Sequence, residues 1–151
     1  MTILAIDPGP IESAWVLWNG EVIGSHGKQS NTEIASWISS AQIATADRLA
    51  IEMIASYGMP VGAEVFETCV WIGRFMQSFG DTRRVDRLTR NEVKNHLCHS
   101  SRAKDSNIRQ AIIDRLGPVG TKKAPGPCYG LAGDEWAALA VALTWWDKEK
   151  A

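Results

Sequence analysis

The chain has 151 residues, 45% of them hydrophobic and 22% charged, with a net charge of −1. That length suits one domain over residues 1–151, and the near-average composition is that of a globular protein whose core, given seven Trp, is rich in aromatics. The charge balance excludes a uniformly basic surface, no stretch approaches the roughly 20 apolar residues of a membrane span, and no signal-peptide pattern opens the chain, so a soluble cytoplasmic protein with no membrane partner is expected.

Thr2 to Ile6 is an unbroken apolar run, the pattern of a strand buried on both faces, and it stops on Asp7 before a Pro8-Gly9 turn. Ser13–Trp18 and Glu21–Gly27 follow as strands joined by Asn19-Gly20, a dipeptide that favours a tight hairpin. Asn31 or Thr32 can cap a helix with Ile34, Trp37, Ile38, Ala41 and Ile43 on its apolar side. Arg48 to Glu52 then repeats the opening pattern, a short apolar strand closing on an acid. After a helical crossover it runs parallel to the first strand.

The loop from Ser56 to Gly62 leads into a long helix ending near Gly80. Val65, Cys69, Ile72, Met76 and Phe79 recur at helical spacing, and Phe66, Val70, Trp71 and Phe75 widen the apolar surface beyond one stripe. Such a helix has two sides to bury. One covers the sheet, and the other is buried within the monomer, against a neighbouring helix, or against a second subunit. Thr82–Asp86 reads as a fifth strand, Thr89 and Glu92 have capping-box spacing for a helix over Arg90–Cys98, and another helix covers Asp105–Leu116. Pro118 to Gly130 is a Gly/Pro-interrupted loop carrying Lys122 and Lys123. The last helix, Asp134 to Trp146, is apolar around most of its circumference.

The string β-β-β-α-β-α-β-α-α-α describes an α/β domain: a five-stranded mixed sheet, three strands antiparallel and the others parallel, flanked by helices in the ribonuclease H-like arrangement. That arrangement sets the first and fourth strands side by side, so Asp7 and Glu52 end at one edge, roughly 5 Å apart across the sheet. Asp134, in the first turn of a helix packed over the sheet, can reach the same edge. Crowded carboxylates need a shared proton, a basic partner or a cation, and hard oxygen donors with open positions suit Mg²⁺ or Mn²⁺. Each acid also has an ordinary use. Asp7 can open a turn, Glu52 can accept hydrogen bonds at a strand end, and Asp134 can cap a helix.

The net charge conceals an asymmetry. From Asp81 to Lys123 there are eleven Lys and Arg against five acids, giving +6, while the remainder is −7. A solvated helical surface accounts for this as readily as phosphate binding does. Cys69, Cys98 and Cys128 are too few and too scattered for a disulfide framework, so reduced thiols are expected. The cluster His96-Leu97-Cys98-His99 lacks a second ligand pair for zinc, and its two histidines also fit one helix face.

Ile6-Asp7-Pro8-Gly9 with Glu12-Ser13-Ala14, then Ala50-Ile51-Glu52, then Gly133-Asp134-Glu135-Trp136-Ala137-Ala138-Leu139-Ala140-Val141-Ala142, together resemble the RuvC family of Holliday junction resolvases, its phage-encoded branch in particular. The resemblance covers essentially the whole chain. It implies a homodimer that cuts two strands of a four-way DNA junction symmetrically, with two divalent ions held by Asp7, Glu52 and Asp134, Asp7 bridging them, and no small organic cofactor. One departure is visible. The family carries a second acid or histidine three residues into the final helix, where this chain has Ala137, and Glu135 points about 100° away from Asp134 on a regular helix. The family's basic segment matches Val93-Lys94 and Ala103-Lys104-Asp105, with lysine and acid transposed in the latter, making Lys94 and Lys104 candidates to neutralise charge on the reacting phosphate.

Candidate DNA contacts are Arg83, Arg84, Arg90, Arg102, Arg109, Lys122 and Lys123, with Tyr57 and Met59 placed either to wedge into an opened junction or to pack beneath their own loop. A flap or RNA–DNA hybrid nuclease on the same scaffold, and a non-catalytic DNA-binding module, remain alternatives. An actin-like phosphotransferase needs two such domains, for which this chain is too short.

Overall fold

The computed structural model describes residues 1–40, 46–81 and 84–151. Its elements follow the expected order: β1 (Ile3–Asp7), β2 (Glu12–Trp18), β3 (Ile23–Ser30), α1 (Asn31–Ser39), β4 (Arg48–Met53), α2 (Ala63–Phe79), β5 (Val85–Thr89), α3 (Arg90–Cys98), α4 (Asp105–Leu116) and α5 (Glu135–Lys150). The sheet order is β3-β2-β1-β4-β5. β1, β2 and β3 pair antiparallel, while β4 joins β1 and β5 in parallel.

Alternation along the strands divides the core in two. Ile3 and Ala5 of β1, Ala14 and Val16 of β2, Ala50 of β4 and Leu88 of β5 face α3, α4 and α5. Leu4, Ile6, Trp15, Leu49, Ile51 and Val85 face the other way, onto Ile34 and Ile38 of α1 and Ile72 and Phe75 of α2. This explains why the strands read as continuous apolar runs: both faces are covered. The last helix is the centre of the first layer, with Trp136 and every residue from Ala138 to Trp145 buried. Four of the seven Trp are buried, namely Trp15, Trp18, Trp136 and Trp145.

Several boundaries differ from the sequence expectation. The β2–β3 connection is longer than a two-residue hairpin because Asn19 Oδ1 accepts from the backbone N–H groups of both Glu21 and Val22, holding these residues in the turn. β3 therefore begins at Ile23 and runs past Gly27 to Ser30, with a register shift between Val16 and Trp18. Neither Asn31 nor Thr32 caps α1. Ser30 does so, its Oγ accepting from Glu33 N at 3.2 Å, while Asn31 is buried in another task described below. Ala41 and Ile43, expected on that helix, lie outside the described residues, as does Thr82. β5 is shifted to Val85–Thr89, where it pairs with β4 from Leu49 to Met53. The capping box is as read: Thr89 Oγ1 accepts from Glu92 N, and Thr89 N donates to Glu92.

On α2 the buried row is Thr68, Ile72 and Phe75, with Trp71, Met76 and Phe79 partly covered. Burial of its second side within the monomer does not occur: Phe66 is 62% exposed and Val70 48%. His96 and His99 do not share a helix face either. His99 ends α3 in the left-handed conformation at φ 56°, and His96 Nε2 lies 2.7 Å from Asp147 Oδ2. The cysteines are free, and no helix among the described residues is long and apolar enough to cross a membrane.

Candidate active site

The period-two alternation that builds the core also aims the acids. Asp7 follows Ile3 and Ala5 on the face covered by α5, and Glu52 follows Ala50 on that same face. The parallel register pairs Ile6 with Ile51, so Asp7 and Glu52 come next, side by side at the carboxyl edge of adjacent strands. Asp134 occupies the N-cap position of α5 above them.

The turn after Asp7 is locked from beneath. Asn31 Nδ2 donates to the Gly9 carbonyl at 2.9 Å, Ser13 Oγ donates to Asn31 Oδ1 at 2.6 Å, and Gly9 N donates to Ser13 Oγ at 3.2 Å. Both side chains are about 1% exposed, so the ring of bonds is dry. Gly9 is required for closeness: a Cβ there would lie 2.4 Å from the Glu12 carbonyl oxygen.

Burial pushes the Asp7 carboxyl up, and the neighbouring Glu52 and Asp134 charges push it further, from 3.8 to about 8; a hydrogen bond shared with Glu52 acts in the same direction. The site's own cations answer this crowding. Arg90 Nη1 stands 3.5 Å from Glu52 Oε1, and its Nη2 donates to Asp105 Oδ1. Lys28 Nζ, on β3, donates to Asp134 Oδ2 at 2.9 Å, a contact that raises the lysine's own pKa. Glu135 is turned to His26, consistent with its expected rotation away from Asp134.

A cleft opens at this edge, lined by Glu52, Arg90, Asp105, Asp134 and Ala137 with Val93, Ile108 and Trp136 as its apolar floor. Three carboxylates around one edge, one of them pushed up by burial and by the charge of the other two, are a donor set that fits hard divalent cations. Among the described residues no three His, Cys, Asp or Glu side chains are drawn into one metal-ready cluster. Asp134 is engaged by Lys28 and Glu52 by Arg90.

The remaining candidates are dispersed. Lys94 is half-buried on α3 and Lys104 exposed before α4; neither lines the cleft. Arg84 sits at the opposite end of the sheet, donating to the carbonyls of Ala46 and Asp47 and stacking on Phe79. Arg109 lies over the Trp136 ring at 4.6 Å and so flanks the cleft. Arg102 is exposed in the turn before α4. Lys122 and Lys123 are exposed on a tight loop closed by the Gly120–Pro125 bridge and by paired hydrogen bonds between Thr121 and Ala124. Tyr57, at φ 50°, accepts a hydrogen bond from Asn91 N through its hydroxyl at 3.4 Å, yet is 56% exposed, and Met59 is 69% exposed, so neither packs beneath the loop. Arg83 lies outside the described residues. Sequence reading missed Lys28 and Asn31, and placed Arg90 only as a DNA contact. Asn31 was visible as a polar residue at a helix start, but its partners are 18 and 22 residues away.

The sheet order and its flanking helices define a class of architecture, the ribonuclease H-like α/β fold, on which Asp7, Glu52 and Asp134 stand at the end of the first strand, in the fourth strand and at the start of the final helix. Within that class the chain is similar in structure to Thermus thermophilus RuvC, with TM-score 0.72 at 16% identity over 99% of this chain and 97% of that one. It is equally similar to T. thermophilus RuvC in complex with Holliday junction substrate, with TM-score 0.72 at 17% identity over 95% and 92% of the two chains. At these identities the likeness is one of fold. No protein-family model and no curated protein sequence matches the chain.

Proposed function

We propose that this protein is a structure-selective endonuclease that resolves four-way DNA junctions by divalent-metal-dependent phosphodiester hydrolysis, working in the cytoplasm as a homodimer. The observation that carries the reading is the electrostatic crowding of Asp7 by Glu52 and Asp134 at one sheet edge, which together with burial pushes the Asp7 carboxyl up to about 8. A RuvC of the same fold binds a Holliday junction substrate, which supports the choice of DNA.

Asp7, Glu52 and Asp134 would hold two Mg²⁺ or Mn²⁺ ions. Such ions, when bound, lower the pKa of an attacking water and stabilise the departing 3′-oxygen. The chain's own contribution is placement. The Asn31–Ser13–Gly9 ring fixes the backbone that carries Asp7. The α5 N-terminus fixes Asp134, and the apolar floor of Val93, Ile108 and Trp136 keeps the inner wall dry. Lys94 and Lys104 remain candidates to meet phosphate charge. Arg102, Arg109, Lys122 and Lys123 supply backbone contacts with strong salt dependence and little sequence information. Tyr57 and Met59, exposed beside the α3 N-terminus, are placed to enter a junction that is already open, at lower cost than deforming duplex.

Labelled four-way junction, flap, duplex and RNA–DNA hybrid, incubated with Mg²⁺ or Mn²⁺, test the reading. Symmetric nicking of the junction by wild type, absent in Asp7→Asn, supports it. Equal cutting of hybrid and junction assigns a broader nuclease, and junction binding with no cutting assigns a DNA-binding module.

A further inference from the structure

Arg90 reaches the acids because of where β5 ends. Thr89 pairs with Met53 of β4, and the capping box turns the chain at once into α3, making Arg90 the first helical residue. Alternation along β5 puts Leu88, and then Arg90, on the α5 face. From there one guanidinium nitrogen meets Glu52 and another meets Asp105, while the side chain lines the cleft beside Asp134 and Ala137. The helix does not explain a cation there, since the first turn of a helix disfavours positive charge. The two carboxylates do explain it. A planar fork with a donor for each acid, which never loses its proton, suits this place better than a lysine.

We propose that Arg90 is the built-in cation of the site, a positioning residue that orients Glu52 and competes with a divalent ion for its carboxylate. The proposal rests on the metal reading of the acids given above. A guanidinium keeps its proton at any pH the folded chain meets, so the charge is permanent. With Ala137 in place of a further acid, the arginine meets part of the negative charge of the three acids while no ion is bound. Glu52 is then held in one orientation before any ion arrives.

The test is Mn²⁺ binding without DNA, read from the free-ion paramagnetic signal, for wild type, Arg90→Gln, Arg90→Lys and Arg74→Gln, followed by junction cleavage kinetics. Arg90→Gln should bind Mn²⁺ about three- to tenfold more tightly yet lose about tenfold in kcat, with KM for the junction within about threefold. Arg90→Lys, which keeps the charge and loses the fork, should fall between wild type and Arg90→Gln in both measures. Arg74→Gln, whose guanidinium lies over Trp71 of α2 on the opposite face of the sheet, should change Mn²⁺ affinity less than about twofold. Unchanged or weaker Mn²⁺ binding in Arg90→Gln overturns the inference. If that variant does not fold, Arg90→Lys decides, and affinity at or below wild type overturns it. Should wild type cleave and bind Mn²⁺ while the Arg90 variants match it, only the role of Arg90 falls. Should wild type neither bind Mn²⁺ nor cleave, the metal reading itself falls.

Discussion

Replacing Asp7 by Asn should make the protein more stable while destroying its chemistry. The Asp7 carboxyl titrates near 8 in the folded chain against 3.8 for the free group, chiefly through burial and then through Glu52 and Asp134. Folding therefore takes up a proton between these values. The stability associated with this group is complete below pH 3.8 and is lost as pH rises through 8. A span of about four pH units at about 1.4 kcal/mol each sets a ceiling of roughly 5–6 kcal/mol. Asn has the same shape, cannot ionise, and can donate to Glu52. At pH 8 in a chelator we expect Asp7→Asn to exceed wild type by ~3 kcal/mol, less than the ceiling because an amide still buries polar atoms. Urea unfolding followed by Trp fluorescence at pH 5, 6.5 and 8 measures the difference, which should shrink steadily toward pH 5. Saturating Mg²⁺ should then close most of the gap, adding about 2–3 kcal/mol to wild type at a hundredfold excess over Kd and almost nothing to the variant. Parallel pH profiles for the two proteins in chelator would refute the reasoning.

Other outcomes follow from the same geometry. Asn31→Ala should cost about 2–3 kcal/mol in chemical unfolding, since it takes the acceptor from the buried Ser13 hydroxyl and the side-chain donor from the Gly9 carbonyl, and should reduce cleavage by loosening Asp7. Ala137→Asp, adding a carboxylate to the cleft wall one helical turn from Asp134, should tighten Mn²⁺ binding about tenfold in calorimetry. Phe66→Glu combined with Val70→Glu, on the uncovered side of α2, should shift sedimentation from dimer to monomer while leaving unfolding within about 0.5 kcal/mol. Junction affinity should fall steeply between about 50 and 200 mM salt, and Lys122→Ala with Lys123→Ala should flatten that slope.

Much of this architecture was legible in the chain itself. The runs at Ile3–Ile6 and Leu49–Ile51 are too apolar for a strand with one wet face, and Thr89 with Glu92 announces a helix start through local chemistry alone. Asp7, Glu52 and Asp134 could be brought together because strand order follows from the crossover, and side-chain direction from counting by two. What was not legible depends on partners distant in the chain. Asn31 looks like a helix cap and becomes a clamp only when Ser13 and Gly9 are beneath it. Lys28 meets Asp134 across 106 residues, and Arg90 meets Glu52 only through the β4–β5 register. Asn19-Gly20 misled for a local reason: the Asn19 side chain captured two N–H groups that a two-residue hairpin would have sent elsewhere.

The run of alanines in α5 has a consequence for how this domain tolerates change. Ala138, Ala140 and Ala142 are at most 1% exposed within the layer that α5 shares with the sheet, α3 and α4, so their small size governs how near that helix can settle to these neighbours. A methyl-sized enlargement at any of them would lift the helix and carry Asp134 outward with it. The volume allowed at these three plain positions thus sets where Asp134 stands relative to Asp7 and Glu52, although none of the three carries a polar side-chain atom.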